Sequence, residues 1–546
     1  MRRALVLATT ICFVAIAIRL VPLANSPLPY NVDGFSLADI AERTQVSGNL
    51  APLPDDPGLP NYEVPVFATW LTMIADIVGI DPLYLAQPLI PILIVPAILV
   101  TFSLVRRLTK NDIASAFAAL FLTFEGLYVF TTATVIKASI AFALIPIILW
   151  LYWEREDNRK RAIAAFLLVT LPLVHHLSSL VVFTMISFIL FNDVLRWWRQ
   201  GLLTLRRLVL EAALGPALFL LGLLYYDAVS LKYLLEVDDP RQIVLFFSVL
   251  FVFALVHRTL SLPAKSRRHA RSTGTRKWGL VFDNKLLYPL GAVGLLLVNY
   301  RTSIFAGTIQ TKPAFLDALV PYFILVLFCL IGFNLIRHFE NSFRPLTMAL
   351  IVAPLAIMSF AFVRGLDPIS FMLMYRSYAY IALGVAMCAG CSMAFLIRIL
   401  RRRELKAVVA VSFVVLLLLS LPLGYNSEEM YDVENATAPF EFEAMDHVKQ
   451  LNATYVGSDQ RISFVLGSYF HQDGDGYLPD RIAGDQALGG YDYALILDIW
   501  TGQGAQRYPR SNLVLDPVEL ASLREHNDVI YSIVSPIGGA TVLHMR

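Results

Sequence analysis

The chain has 546 residues, 57% of them hydrophobic and only 16% charged, with a mean hydropathy of +0.63. That is more apolar and less charged than a soluble domain, which excludes a soluble enzyme and leaves a polytopic membrane protein. The near-neutral total of +2 gives no sign of a nucleic-acid partner, and the four cysteines all fall inside apolar runs, so neither a disulfide framework nor a zinc site is implied.

Runs long enough to cross about 30 Å of hydrocarbon fall at residues 4–22, 85–105, 112–130, 136–153, 162–175, 177–195, 208–226 and 241–257. Five more fall at 286–300, 314–336, 345–363, 376–399 and 407–424, which makes thirteen. The first follows Arg2 and Arg3 as a signal peptide would, but Arg19-Leu-Val-Pro is a poor cleavage site and many spans follow, so it reads as a retained helix.

A long first loop follows at 23–84 and opens on the stretch 30–42, YNVDGFSLADIAE. With Asp33 on a turn and Ser36 as cap, a helix is expected from about Leu37 to Arg43, lying on the bilayer with Leu37, Ile40 and Ala41 on its apolar side. Asp39 and Glu42 fall opposite that stripe and are expected to be solvated or to support the loop. Asp33 precedes the helix and adjoins Gly34, whose missing side chain would let a substrate approach. A carboxylate there is placed to take a proton from a hydroxyl acceptor; the bland alternative is a solvated acid.

Glu125 stands at the outer end of the third run and Lys137 at the start of the fourth, where ionisable groups usually face the bundle interior or a water-filled cavity. Snorkelling is the alternative for Lys137. The break around Pro172, His175 and His176 suggests a tight hairpin whose histidines contact a phosphate or finish a helix end. A two-histidine metal site lacks a third ligand.

With the N-terminus cytoplasmic, the connections at 106–110, 154–161, 196–207, 258–285, 337–344 and 398–406 are all inside and all rich in Lys and Arg, as the positive-inside rule requires. Residues 425–546 then lie outside the cell membrane. This tail carries 18 Asp and Glu against 7 Lys and Arg, a balance that suits a high-salt exterior, and holds the sequons Asn435-Ala-Thr437 and Asn452-Ala-Thr454. It reads as a small α/β domain: helices at 440–451 and 516–524, strands at 461–467 and 493–499, and a closing pair at 529–534 and 541–545. The run HQDGDGYLPD at 471–480 has the spaced acids Asp473, Asp475 and Asp480 of a calcium loop without its regular repeat.

The N-terminal span, the long first loop with an early acid, EGLYVFTTATVIKASIAFALIPIILWLYW and PLVHHLSSLVVF together resemble the GT-C superfamily of polyprenyl-phosphate-sugar-dependent glycosyltransferases. The thirteen-span plan with an exterior tail is similar to that of oligosaccharyltransferase catalytic subunits and archaeal dolichol-phosphate-mannose transferases. The resemblance implies an all-α polytopic fold with a small exterior α/β domain, and Asp33 as catalytic base with Glu125, Asp39 and Glu42 as supporting acids. It implies transfer of a sugar, in the second group mannose, from a polyprenyl- or dolichyl-phosphate donor to a glycan or protein acceptor with inversion. Lys137, His175, His176, Arg301, Arg364 and Arg376 are the candidate cations for the donor phosphate; taken singly, each arginine also reads as an interface anchor. The tail is short for an oligosaccharyltransferase and lacks WWDYG, and no Asp-x-Asp follows the second span. No obligatory metal is therefore expected, although a divalent cation remains compatible. A transporter or flippase of lipid-linked sugars is the rival, but no self-similar halves are visible.

Overall fold

A computed structural model describes residues 2–49, 66–212, 218–228, 312–336, 343–364, 368–426, 434–507 and 512–546, with a few isolated positions between them. Its helices in chain order are α1 (Arg2–Arg19), α2 (Asp33–Ser47), α3 (Val66–Val78), α4 (Pro82–Leu93), α5 (Val95–Thr109), α6 (Asp112–Phe124), α7 (Gly126–Ala133) and α8 (Ala138–Trp153). They continue with α9 (Asn158–Val174), α10 (His176–Arg199), α11 (Leu205–Ala212), α12 (Leu218–Ala228), α13 (Pro313–Ile336), α14 (Phe343–Arg364), α15 (Pro368–Ile399) and α16 (Arg403–Ser420).

Among the described residues four helices are long and apolar enough to cross a membrane, Pro82–Thr109, His176–Arg199, Arg376–Ile399 and Arg403–Tyr425. The pair α6 and α7, bent by 60° at Glu125, makes a fifth. The expected thirteen is not reached among these residues, and the run expected at 241–257 lies outside them apart from one position. The third expected run is broken because Glu125 ends α6 with extended backbone and caps α7. The first loop is not open chain either, since α2 and α3 both form within 23–84.

Local chemistry sets the helix starts. Asn111 caps α6 by accepting from the amides of Ile113 and Ala114, and Asp157 caps α9 through Arg159. Deeper in the bundle, Phe413 of α16 meets Phe117 of α6 and Phe328 of α13 edge-on at 5.5 and 5.4 Å, which joins three distant segments in one apolar core.

The tail folds as α17 (Pro439–Gln450), β1 (Val456–Gly457), α18 (Gln460–Ser468), β2 (Gly474–Asp475), α19 (Leu478–Ala483), β3 (Tyr493–Leu497), α20 (Pro517–His526), β4 (Asp528–Ser535) and β5 (Gly538–His544). The sheet order is β2-β1-β3-β5-β4, with β1 parallel to both neighbours and β5 antiparallel to β3 and β4. The expected helices and closing pair are present, but the strand expected at 461–467 is helix α18. Its buried residues Ile462, Val465 and Leu466 recur at helical spacing, and Asp459 caps it at the Ile462 amide. Arg461 and Glu441 form a buried two-pronged pair at 2.7 and 2.5 Å that ties α18 to α17.

The tail core extends into the first loop. Leu28, Phe35, Ala38 and Leu83 belong to the same buried cluster, and Phe35 lies 5.9 Å from Phe442 and 6.1 Å from Tyr469. Residues 26–42 and the tail therefore occupy the same side of the molecule.

Candidate functional site

Asp33 is the first residue of α2 rather than part of a preceding turn, and Ser36, expected as the cap, is fully buried within the helix. The start of α2 is organised by Asn31, whose side-chain oxygen accepts from the Asp33 amide at 2.9 Å while its amide group donates to Asn435 at 3.0 Å. Asn31 holds φ at 146°, a region that costs a non-glycine residue roughly 1–3 kcal/mol and persists only where its surroundings hold it. Those surroundings are a ladder: Tyr30 donates to buried Gln87 at 2.8 Å, Gln87 donates to Ala133, and Val135 donates to the Tyr30 carbonyl at 3.2 Å. The half-buried Asp33 carboxylate has no hydrogen-bond partner among the described residues.

Gly34 does not leave room for a substrate. A side chain there would lie 2.5 Å from Cβ of Pro29 and 2.9 Å from Cβ of Val135, so the missing side chain lets the chain segments themselves close up. This contact brings Gly34, the residue after Asp33, against the segment that leads into α8.

Asp39 and Glu42 are not solvated. Asp39 is 5% exposed, bonds Arg43 at 3.0 Å and His471 at 2.8 Å, and so links α2 to the tail. Glu42 accepts from Tyr469 at 3.0 Å, and burial, with Asp81 nearby, pushes its carboxyl up to about 7. The bilayer-lying helix with a polar outer face is thus overturned, because the tail covers that face.

Glu125 is fully buried and fully used. It accepts from the Tyr128 amide at 2.7 Å, from the hydroxyl of Tyr378 at 3.0 Å and from that of Tyr322, which in turn accepts from the Leu127 amide. A side chain on the next residue, Gly126, would lie 1.8 Å from the Ser420 carbonyl, so the corner packs directly on the end of α16. Arg19 lies close by, fully buried, donating to Thr132 at 2.8 Å and to the carbonyls of Leu122, Thr123 and Ala15.

Of the six expected phosphate contacts, four lie near one another, two cations (Lys137 and Arg376) and two imidazoles. His175 caps α10 through Ser178, which bonds Tyr380 at 2.6 Å, and the rings of His175 and His176 lie 4.8 Å apart. Lys137 and Arg376 are close enough to act electrostatically on both imidazoles. Arg301 is exposed, and of Arg364 only the backbone, as the last residue of α14, is described.

No group of three metal-ligating side chains occurs among the described residues. The spaced acids of the 471–480 run go to other partners: Asp475 accepts from Tyr491 and Arg481, and Asp480 pairs with Arg507. Of the two sequons, Asn435 is buried and engaged by Asn31, whereas Asn452 is exposed.

Sequence reasoning missed Asn31, Arg19, Tyr322 and Tyr378. Arg19 alone carried a local signal, a guanidinium at the end of an apolar run; the others take their roles from partners far along the chain.

No protein-family model matches the chain, and no curated protein matches it. Among solved structures, the Archaeoglobus fulgidus oligosaccharyltransferase in its apo form aligns over 100% of this chain and 74% of its own, with a TM-score of 0.53 and 12% identity. Two structures of ArnT from Cupriavidus metallidurans, one bound to undecaprenyl phosphate and one apo, cover 98% of this chain and 97% of theirs. Their TM-scores are 0.39 and 0.35, at 14% and 11% identity. The likeness to the oligosaccharyltransferase is one of fold.

Proposed function

We propose that the chain is a membrane glycosyltransferase that moves a sugar, a hexose such as mannose, from a polyprenyl-phosphate donor to a hydroxyl or amide acceptor on the side of the membrane that carries the tail. The observation that supports this most is the unpartnered, half-buried carboxylate of Asp33, whose neighbour Gly34 packs on Val135 in the segment that leads to Lys137 and α8. A base must be able to reach an acceptor proton, and a leaving phosphate needs fixed positive charge.

In this reading Asp33 takes the proton of the acceptor as it attacks the anomeric carbon in a single inverting displacement. The bond to the donor phosphate breaks, and Lys137 and Arg376 hold the departing charge, with the imidazoles of His175 and His176 as neutral neighbours. Phosphate is a weak base, so no strong general acid is needed. The glycan or protein identity of the acceptor is left open, and an oligosaccharyltransferase-like activity is the second reading, favoured by the fold likeness to the Archaeoglobus enzyme.

Membranes containing the protein, supplied with a radiolabelled polyprenyl-phosphate sugar, should transfer label to an acceptor, and Asp33→Asn membranes should not. Label that crosses the bilayer unchanged would instead establish a flippase. Transfer of preassembled oligosaccharide but not of single sugars would favour the second reading.

A further inference from the structure

A cavity of about 690 Å³ opens at the end of the bundle opposite the Asp33 corner, bounded by the C-terminal ends of α8 and α10 and the N-terminal ends of α9 and α11. The cavity's lining residues on α10 run from Ile189 to Trp197, so they begin about 21 Å along that helix from His175. By the positive-inside pattern it lies on the cytoplasmic side. We propose that it binds the phosphate headgroup of an anionic phospholipid in that leaflet.

Charge carries the first step. Seven Lys and Arg line the cavity against four Asp and Glu. Every buried acid is already shared between cations: Asp193 by Arg155 at 2.6 Å and Arg196 at 2.9 Å, Glu211 by Arg155 and, at 3.7 Å, Arg161, and Glu154 by Arg107 and Lys160. The fourth acid, Glu156, is 88% exposed and lies 3.7 Å from Arg207. The surplus is left over at identifiable groups. Nε of Arg161 is buried without a hydrogen bond, and Arg206 has no ion pair among the described residues. A buried, unsatisfied guanidinium N–H in a cavity that also presents the exposed Arg206 suits an oxyanion with several acceptor oxygens.

The rim says that the anion belongs to a lipid. Helix α11 turns Arg206 and Arg207 to the cavity while Leu205 and Val209, 78% and 58% exposed, face outward. Trp198, 65% exposed, and Leu202, 52% exposed, continue this apolar border. A short helix that is basic on one face and apolar on the other lies in the membrane interface. The indoles of Trp153 and Trp197 sit beneath Arg107 and Arg207 at 4.7 and 4.2 Å, which holds these two guanidinium groups at the cavity. A second basic cavity of about 840 Å³, lined by Arg3, Arg106 and Lys110, shares Arg107 with the first and extends the same collar.

The test uses the full-length protein in zwitterionic detergent, titrated with phosphatidylglycerol or phosphatidylcholine and followed by native mass spectrometry. Wild type should retain one phosphatidylglycerol in preference to phosphatidylcholine, and the double variant Arg161→Gln, Arg206→Gln should retain it at least about tenfold less well. Arg206 carries no ion pair among the described residues and Glu211 keeps Arg155 when Arg161 is replaced, so the variant should stay within a few degrees of the wild-type melting temperature; Glu156→Gln, which removes only an exposed acid, should bind no more weakly than wild type. Equal retention by wild type and the double variant, or no preference over phosphatidylcholine, overturns the proposal. A site that inorganic phosphate fills with the same sensitivity to the variants, while phosphatidylglycerol shows none, overturns the lipid assignment in favour of a soluble anion.

Discussion

Two carboxylates stand at helix starts on the side of the bundle that carries the tail, and their surroundings are opposite. Glu125 caps α7 and is consumed there by the Tyr128 amide and the hydroxyls of Tyr322 and Tyr378. Asp33 opens α2, but the capping oxygen at that start comes from Asn31, so its own carboxylate is spared. A carboxylate holding three donors is a structural acceptor, and one relieved of its local duty can take a proton. The difference lies in who caps the helix, not in the two residues themselves.

Four experiments bear on this contrast. The largest effect is expected from Glu125→Ala, which leaves two tyrosine hydroxyls and a backbone amide unpaired in the core and should cost roughly 3 kcal/mol of stability. A melting curve in detergent checks this, with Glu125→Gln expected to lose less than half as much; an unchanged melting point would make Glu125 the freer acid. Next comes Asp33→Asn, which should melt as wild type does while cutting sugar transfer by at least about 100-fold, about 2.7 kcal/mol of transition-state stabilisation. Full activity in this variant removes Asp33 from the chemistry.

A smaller change is expected at the cations. Arg376→Ala should raise the donor concentration needed for half-maximal transfer about tenfold, with Arg376→Lys in between because it keeps the charge and loses the planar fork. Identical donor dependence in all three proteins would leave Arg376 as an anchor. The smallest effect concerns the joint between loop and tail. Because the folded carboxyl of Glu42 is raised from 4.5 to about 7, the folded state holds a proton that the unfolded state releases. Its contribution is complete below about 4.5 and is lost as pH rises to about 7. Melting temperature should therefore decline across that window, and Glu42→Gln should flatten the decline; an unchanged slope would show that burial, with Asp81 nearby, does not raise this carboxyl.

Much of the architecture was legible in residue order alone. Hydropathy marks the membrane class because an apolar run of about twenty residues has few other fates in water. Pro439–Gln450, Pro517–His526 and the closing strand pair were readable because helix and strand periods are local properties. Ambiguity begins where runs are short, as at ISFVLG in α18, whose apolar residues fit either period over so few positions.

The site itself was decided by tertiary structure. Asn31 meets Asn435 across 404 positions, and Glu125 meets Tyr322 and Tyr378 across 197 and 253. Asp39 and Glu42 look solvent-facing by helical period, yet the tail that covers them begins some four hundred residues later. No local pattern encodes such partners, because a hydrogen bond between distant segments depends on where the whole chain places them. Sequence alone therefore determined which acids and cations were available; the packing of the tail and of the later helices decided which acid is spent on structure and which is left for chemistry.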